Sequence, residues 1–256
     1  MSEATLIDYR VDNDVAYLTL NNPPVNIMSA ALMNRMTEML AYVSADKSLK
    51  AVAVTGTGKA FCAGADVGEH RPDQAATMIE SFGRLFRALD ALDVPVVMAV
   101  DGAAMGAGFE LILMADVLIA SETTMFGQPE IRLGFFAPIG VVVLPELVGR
   151  AKAMEITCTG GNYSAHEMAA MGLVSHVVPV EKLDTALEDV LKDIRRASPL
   201  VLRLNTRTLK KSRAGDFDAA LTHAEHVFLE DLMTSDDPVE GIEAFYGKRR
   251  PEWKNS

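Results

Sequence analysis

Short apolar segments alternate with longer amphipathic segments along the first hundred residues, and this alternation constrains the fold more than any other feature. Residues 16–20 read Ala-Tyr-Leu-Thr-Leu, which has the period of two that is typical of a strand. Residues 30–45 have apolar side chains at the spacing of one helix face, and Ser29 is a residue type that commonly caps a helix start. The predicted strands span residues 5–11, 16–20, 51–55 and 95–100, and the predicted helices span residues 30–45 and 73–92. Elements in this order predict an α/β chain built from crossover units.

The second half of the chain is mostly helical in its periodicity, from Arg150 onward. The predicted helices span residues 151–159, 165–171, 180–196, 199–213, 216–233 and 238–246. Ser198 and Pro199 mark the best boundary, because proline interrupts a helix and favours its first turn. We therefore predict two regions, a mixed core with the active site at 1–197 and a helical region at 198–256.

Charge and composition exclude several classes of protein. The formal net charge is −11, and nucleic-acid binding rests largely on lysine and arginine contacts to phosphate, so no nucleic-acid partner is expected. Cys62 and Cys158 do not have the spacing of metal ligands, and the five histidines lack such grouping, so no metal site is predicted. The N-terminus does not resemble a signal peptide, and the longest apolar runs are too short to cross a bilayer. We expect a soluble, cytoplasmic protein with no membrane partner.

Residues 105–110, Met-Gly-Ala-Gly-Phe-Glu, form the first candidate for chemistry. Small residues before an apolar helix let a ligand approach the backbone, and a helix start offers free N–H groups to an oxygen that gains negative charge. Glu110 lies three residues after Ala107, so it is expected near that ligand. Alternatively, the glycines only allow tight packing of the helix, and Glu110 complements its dipole.

Two further segments carry weaker signals. Glu130 lies between the apolar stretches 124–126 and 133–139, where burial would raise its pKa toward the range of a general acid; the alternative is a glutamate in a surface turn. Residues 61–66, Phe-Cys-Ala-Gly-Ala-Asp, follow a predicted strand and a glycine-rich turn. They offer another backbone N–H, or form only a tight loop, and they match neither the P-loop nor the dinucleotide fingerprint.

Taken together, residues 63–66, 105–111 and 126–134 resemble the enoyl-CoA hydratase/isomerase (crotonase) superfamily. Glu130 follows Glu110 by 20 positions, as in the hydratases of that family. The resemblance runs almost end to end, since residues 22–26 look like its coenzyme-binding loop and residues 240–249 like its terminal helix. It implies a spiral of ββα units with a helical C-terminal region that mediates oligomerisation, and homotrimers that often pair into homohexamers.

The resemblance also implies a site for an acyl-CoA thioester. The backbone N–H groups of Ala65 and Ala107 would bind the thioester oxygen, with Ala107 at a position where the family usually has glycine. Glu110 would deprotonate water and Glu130 would protonate carbon, so that water is added to a carbon–carbon double bond. Coenzyme A belongs to the substrate, and no separate cofactor is expected.

Contacts to the coenzyme follow from the same resemblance. Val25, Ala63 and Asp66 would lie near its adenosine and pantetheine portions. Phe245 and Lys248 would come from the terminal helix of a neighbouring subunit. The alternative for Lys248 is a solvated basic chain end.

The sequence departs from the family after residue 134. Phe135 and Phe136 place bulky side chains beside the presumed acyl pocket, where common members have smaller residues. Together with residues 23–28, this segment resembles hydratases of cyclic dienoyl-CoA thioesters, which implies a ring such as cyclohexa-1,5-diene-1-carbonyl-CoA. Two other functions stay open: a double-bond isomerase of the same family, which needs only one carboxylate, and a non-catalytic RNA-binding relative, which the net charge disfavours.

Overall fold

The computed structural model describes residues 6–211 and 215–253. In this part of the chain, short strands follow one another closely and are separated by helices. The strands are β1 Ile7–Asp12, β2 Val15–Leu20, β3 Ala51–Gly56, β4 Ala60–Cys62, β5 Val96–Val100, β6 Ala103–Met105, β7 Val117–Ser121, β8 Met125–Gly127, β9 Asn162–Ser164 and β10 His176–Val178.

These strands form two sheets, and the chain alternates between them. The larger sheet has the order β1-β2-β3-β5-β7-β10, and the smaller one has the order β4-β6-β8-β9. Each of β3, β5 and β7 in the larger sheet is followed directly by β4, β6 or β8 in the smaller one. Successive turns are parallel within each sheet, from β2 to β10 and from β4 to β8. This alternation produces the spiral of ββα units that the sequence predicts.

Helices cover the sheets and complete the core. The α-helices of the described residues are α1 Ala30–Ala45, α2 Ala75–Asp90, α3 Ala107–Ile112, α4 Pro138–Val148, α5 Arg150–Thr159, α6 Ala165–Ala170, α7 Leu183–Arg195, α8 Pro199–Lys211, α9 Phe217–His226 and α10 Asp237–Tyr246. Every residue of β5 is buried, as expected for a parallel strand covered on both faces. None of the helices in these residues is long and apolar enough to cross a membrane.

The C-terminal helices fold back onto their own chain. A π-helix, Val227–Leu232, continues α9, and α10 contacts the 3₁₀ helix Pro129–Leu133, which follows β8. The contact is close, since a Cβ at Gly241 would overlap the backbone of Leu133. This docking brings the end of the chain beside the carboxyl ends of the smaller sheet.

Several predicted elements agree with the structure. Helix α1 has the predicted bounds, and the Ser29 hydroxyl accepts a hydrogen bond from the N–H of Leu32 at 3.3 Å. The strands β4, β6, β7, β8, β9 and β10 were not predicted. The prediction placed the start of the first strand at Thr5 and the end of the helix that begins at Pro199 at Arg213. Both of these residues lie outside the described ranges. The division at residues 197 and 198 stays a prediction.

Helix α3 packs directly on strand β4 through Gly108. A Cβ at Gly108 would lie 2.7 Å from Cys62 Cβ and would overlap the Cys62 carbonyl oxygen. Any side chain there must push the helix away from the strand. This contact therefore fixes the distance between the loop after β4 and the start of α3.

We expect Gly108→Ala to lower the free energy of unfolding by about 1–3 kcal/mol, because a methyl group is forced into a filled contact. Chemical denaturation measures this change. The matched control is Gly161→Ala, where the three nearest atoms all belong to side chains, the closest being the hydroxyl oxygens of Thr159 and Tyr163 at 3.3 and 3.4 Å. Equal effects of the two substitutions would contradict the role of Gly108.

Candidate active site

The three segments singled out by sequence meet at one edge of the smaller sheet. Residues 63–66 follow β4, residues 106–110 follow β6, and residues 128–130 follow β8. These strands are parallel neighbours, so their carboxyl ends lie side by side. Together the segments line a cavity of about 380 Å³.

Ala65 and Ala107 both line this cavity. Among the described residues, neither backbone N–H has a hydrogen-bond acceptor. The carbonyl of the same peptide group is held in each case: Gly64 O accepts from Met28 N at 2.9 Å, and Gly106 O accepts from Glu110 N at 2.9 Å. Because a peptide group is planar, fixing the carbonyl also fixes the direction of the N–H. The cavity is thus lined by two residues whose backbone N–H donors have fixed directions.

Gly106 joins β6 to α3 in a conformation that suits glycine, with φ of 54°. A Cβ there would lie 2.9 Å from Glu130 Oε1. The missing side chain therefore lets the Glu130 carboxyl group lie against the backbone that carries the N–H of Ala107.

Glu110 projects from the first turn of α3 and is buried, with 2% exposure. Its Oε1 accepts hydrogen bonds from the N–H groups of Ile139 at 2.8 Å and Gly140 at 3.2 Å, in the first turn of α4. Burial, followed by the charge of Glu130, raises the pKa of Glu110, and the two N–H donors oppose that rise. These donors and the helix dipole favour its ionised form.

Glu130 faces the same cavity from the 3₁₀ helix after β8. Its Oε1 accepts a hydrogen bond from Gln128 Nε2 at 2.9 Å, and its Oε2 is buried with no partner in the described part of the chain. Burial raises the pKa of Glu130 to about 7. Two buried carboxyl groups that repel one another do not both ionise near neutral pH, so one of them keeps a proton.

Gln128 is a site residue that the sequence analysis missed. It is buried, it donates to Glu130, and its Nε2 also lies 3.4 Å from the Gly106 carbonyl oxygen. The available signal was its position in the run Gly-Gln-Pro-Glu, two residues before the candidate acid.

The residues predicted to contact the coenzyme fall into two groups, those that line the cavity and those that lie outside its lining. Ala63 and Phe245 line the cavity, whereas Val25, Asp66 and Lys248 are not among the described residues that line it. Val25 O accepts from Ala63 N at 2.9 Å, and the Asp66 carboxylate accepts from Gly68 N at 2.8 Å, so both shape the adjoining loop. Lys248 is exposed at the end of α10.

Phe245 lines the cavity of its own chain, because α10 docks against the 3₁₀ helix that carries Glu130. Its contribution from a neighbouring subunit stays a prediction.

Apart from His70 and Arg132, the rest of the cavity wall is apolar and partly aromatic. Phe135 and Phe136 occupy the side predicted for them, and the sequence analysis missed the opposing ring of Phe228 in the π-helix. The rings of Phe135 and Phe228 stack at 5.9 Å, and Phe136 meets Phe228 edge-on at 5.6 Å. Helix α2 supplies the remaining wall with Met78, Ile79 and Phe82. Within residues 6–211 and 215–253, no three His, Cys, Asp or Glu side chains group in a way that would hold a metal ion.

Comparison with known proteins agrees with this architecture. A family model described as enoyl-CoA hydratase/isomerase matches residues 10–256. The chain is 35% identical over 244 residues to cyclohexa-1,5-dienecarbonyl-CoA hydratase of Thauera aromatica, covering 95% of this chain and 94% of that protein. It is 36% identical over 244 residues to 2,3-dehydroadipyl-CoA hydratase of Escherichia coli (strain K12), covering 94% and 95%.

A solved structure gives the same result for the fold. The enoyl-CoA hydratase of Mycobacterium avium subsp. paratuberculosis K-10 superposes with a TM-score of 0.88 at 27% identity, covering 98% of this chain and 99% of that one. The predicted fold class is therefore confirmed.

The raised pKa of Glu130 predicts a pH-dependent cost to stability. The folded state keeps the proton up to about pH 7, whereas an unfolded glutamate loses it near 4.5, so wild-type stability falls as pH rises through this window. Glu130→Gln removes the loss, and its gain in unfolding free energy should grow by up to about 3 kcal/mol between pH 4.5 and pH 8.

Denaturant titrations of both proteins across this pH range measure the difference. The control is Glu146→Gln, because Glu146 is exposed. A gain for Glu130→Gln that does not change with pH would show that its carboxyl group ionises normally.

Proposed function

The chain belongs to the enoyl-CoA hydratase/isomerase family, and on that premise we propose that it adds water to the double bond of an enoyl-CoA thioester. One observation carries the proposal: the same cavity is lined by two buried carboxyl groups and by two residues whose backbone N–H groups have no acceptor among the described residues. Acid–base chemistry and stabilisation of an oxyanion are therefore available at one place.

The N–H groups of Ala65 and Ala107 form the oxyanion hole in this proposal. When water attacks the β-carbon of a conjugated thioester, negative charge moves to the carbonyl oxygen. Preoriented donors stabilise that charge, and loss of one donor in comparable sites costs about 3–4 kcal/mol of transition-state stabilisation. Since the carbonyls of both peptide groups are already hydrogen-bonded, the donors need no reorganisation as charge develops.

The two glutamates divide the proton transfers. Glu110 receives two backbone hydrogen bonds at a helix start, which favour its ionised form, so it acts as the base that orients and deprotonates water. Burial raises the pKa of both glutamates, but Glu130 has no backbone N–H donors from a helix start, and its Oε2 has no partner in the described part of the chain, so it carries the proton that is delivered to the α-carbon. The water oxygen bonds to the β-carbon, and the thioester regains its carbonyl as the C–H bond forms.

The alternatives explain the site less fully. A double-bond isomerase moves one proton between two carbons and needs a single carboxyl group, which leaves the second buried glutamate without a task. An RNA-binding relative needs a basic surface, and the net charge of −11 opposes phosphate.

We expect Glu110→Gln and Glu130→Gln each to lower kcat by about 10²–10⁴-fold while the protein stays folded, because an amide neither accepts nor delivers the required proton. The assay uses crotonyl-CoA in ¹⁸O-labelled water, and wild-type product should carry the label in its new hydroxyl group. Glu146→Gln serves as control. Double-bond migration without ¹⁸O uptake would favour the isomerase, and near-wild-type rates of either variant would remove that glutamate from the mechanism.

We further propose that the acyl group is a ring, such as cyclohexa-1,5-diene-1-carbonyl-CoA. Support comes from the aromatic wall formed by Phe135, Phe136 and Phe228, since flat ring faces pack well against stacked and edge-on aromatic groups. The similarity to the Thauera aromatica hydratase also supports a ring substrate. The coenzyme portion would follow Val25, Ala63 and Asp66, with Phe245 and Lys248 at the same end.

This substrate proposal predicts a ranking of kcat/KM values. The ring dienoyl thioester should exceed crotonyl-CoA, because the short acyl chain leaves most of the apolar wall empty. Phe228→Ala should reduce the ring rate more than the crotonyl rate, by about tenfold or more. Turnover of crotonyl-CoA far faster than that of the ring thioester would exclude the ring as the natural substrate. Whether the protein forms trimers or hexamers stays a prediction.

A further inference from the structure

His70 is a polar side chain in the aromatic part of the cavity wall, and the mechanism does not use it. It ends the 3₁₀ helix Val67–His70, which begins two residues after Ala65. Its ring meets Phe135 edge-on at 5.0 Å and lies 6.3 Å from the ring of Phe228. His70 lines the cavity together with these two aromatic groups.

The hydrogen bonding of His70 fixes which ring nitrogen carries the proton. Nδ1 lies 2.9 Å from the Asp66 carbonyl oxygen, which only accepts, so Nδ1 donates. Burial lowers the pKa of His70, which keeps the ring neutral at pH 7. In a neutral ring with the proton on Nδ1, Nε2 has a lone pair and acts as an acceptor. Nε2 has no partner in the described part of the chain.

We propose that Nε2 of His70 accepts a hydrogen bond from a hydroxyl group of the acyl moiety, remote from the thioester. His70 would thereby make the site select ring acyl-CoA thioesters that carry such a hydroxyl over the same rings without it. This assignment rests on the proposed function, since it takes the cavity to be the acyl site. It also narrows the proposed ring substrate, because the preferred ring carries a hydroxyl group that cyclohexa-1,5-diene-1-carbonyl-CoA lacks.

The chemistry of the wall explains why one acceptor has a large effect. An acceptor in an apolar wall is left unpaired when a plain hydrocarbon ring displaces water from it, and this penalty falls on the ligand that lacks a donor. A hydroxyl group supplies that donor. A carboxylate on the ring is acceptor only, so it gains nothing at Nε2 and is not selected.

The test is equilibrium binding of saturated thioesters by calorimetry, which needs no turnover. The ligands are cyclohexane-1-carboxyl-CoA and its 2-, 3- and 4-hydroxy derivatives. In the 2-hydroxy compound the hydroxyl sits on the β-carbon, where the proposed hydration puts it and where Glu110 and Glu130 are expected. We expect the 3- or the 4-hydroxy compound to bind wild-type protein at least tenfold more tightly than the unsubstituted ring.

Three variants separate the two nitrogens of His70. Glutamine places a carbonyl oxygen near the position of Nε2, so His70→Gln should keep the preference for the remote hydroxyl. Asparagine places a donor near the position of Nδ1, so His70→Asn should keep the bond to Asp66 but lose the preference. His70→Phe keeps the ring contacts and should also lose the preference.

The inference is overturned if wild-type protein shows no preference for a remote hydroxyl, or if His70→Asn and His70→Phe both retain it. It is also overturned if only the 2-hydroxy compound depends on His70. Hydration of the ring dienoyl thioester is measured separately. A preference that depends on His70 without any hydration would contradict the proposed function alone. Hydration without that preference would contradict this inference alone.

Discussion

The rest of the site depends on the burial of two carboxyl groups in one apolar cavity. Placing an ionised carboxylate away from water costs several kcal/mol unless hydrogen bonds replace its hydration. Glu110 receives such bonds from the start of α4, whereas Oε1 of Glu130 accepts from the amide of Gln128 and its Oε2 is buried without a partner in the described part of the chain. The fold therefore maintains an arrangement that is unfavourable by itself, and the large apolar core offsets its cost.

The spiral provides the means to build this arrangement from separate parts of the chain. Each turn of the spiral has a short strand in the smaller sheet. The segments that follow these strands lie at the same edge of that sheet, where the strands end. One turn supplies the N–H of Ala65, the next supplies Ala107 and Glu110, and the third supplies Glu130. Gly106 and Gly108 let these segments approach more closely than any side chain would allow. The small residues thus allow the close packing that brings the acidic residues together.

Local signals in the sequence predicted the parts of the structure that local interactions determine. Helix α1 has a capping serine and a regular apolar face, and its bounds were predicted correctly. The strands β4, β6 and β8 have three residues each, too few to show a period of two, and only their pairing makes them strands. Phe228 lies about one hundred positions from the acids it faces, and no periodicity links such distant residues. The sequence also does not show that α10 places Phe245 in the cavity of its own chain, because that contact joins segments far apart in the sequence.

The cavity also depends on how the C-terminal helices dock, because its two long walls come from different regions. Helix α2 supplies Phe82, and the π-helix after α9 supplies Phe228. Between them, Arg87 of α2 donates both terminal nitrogens to the Glu225 carboxylate of α9, at 2.9 and 2.8 Å. Such a two-point contact fixes direction as well as distance. The ion pair therefore holds α9 against α2 from outside the cavity. The C-terminal helices thus contribute to the cavity wall, although the proposed acids all lie in the spiral.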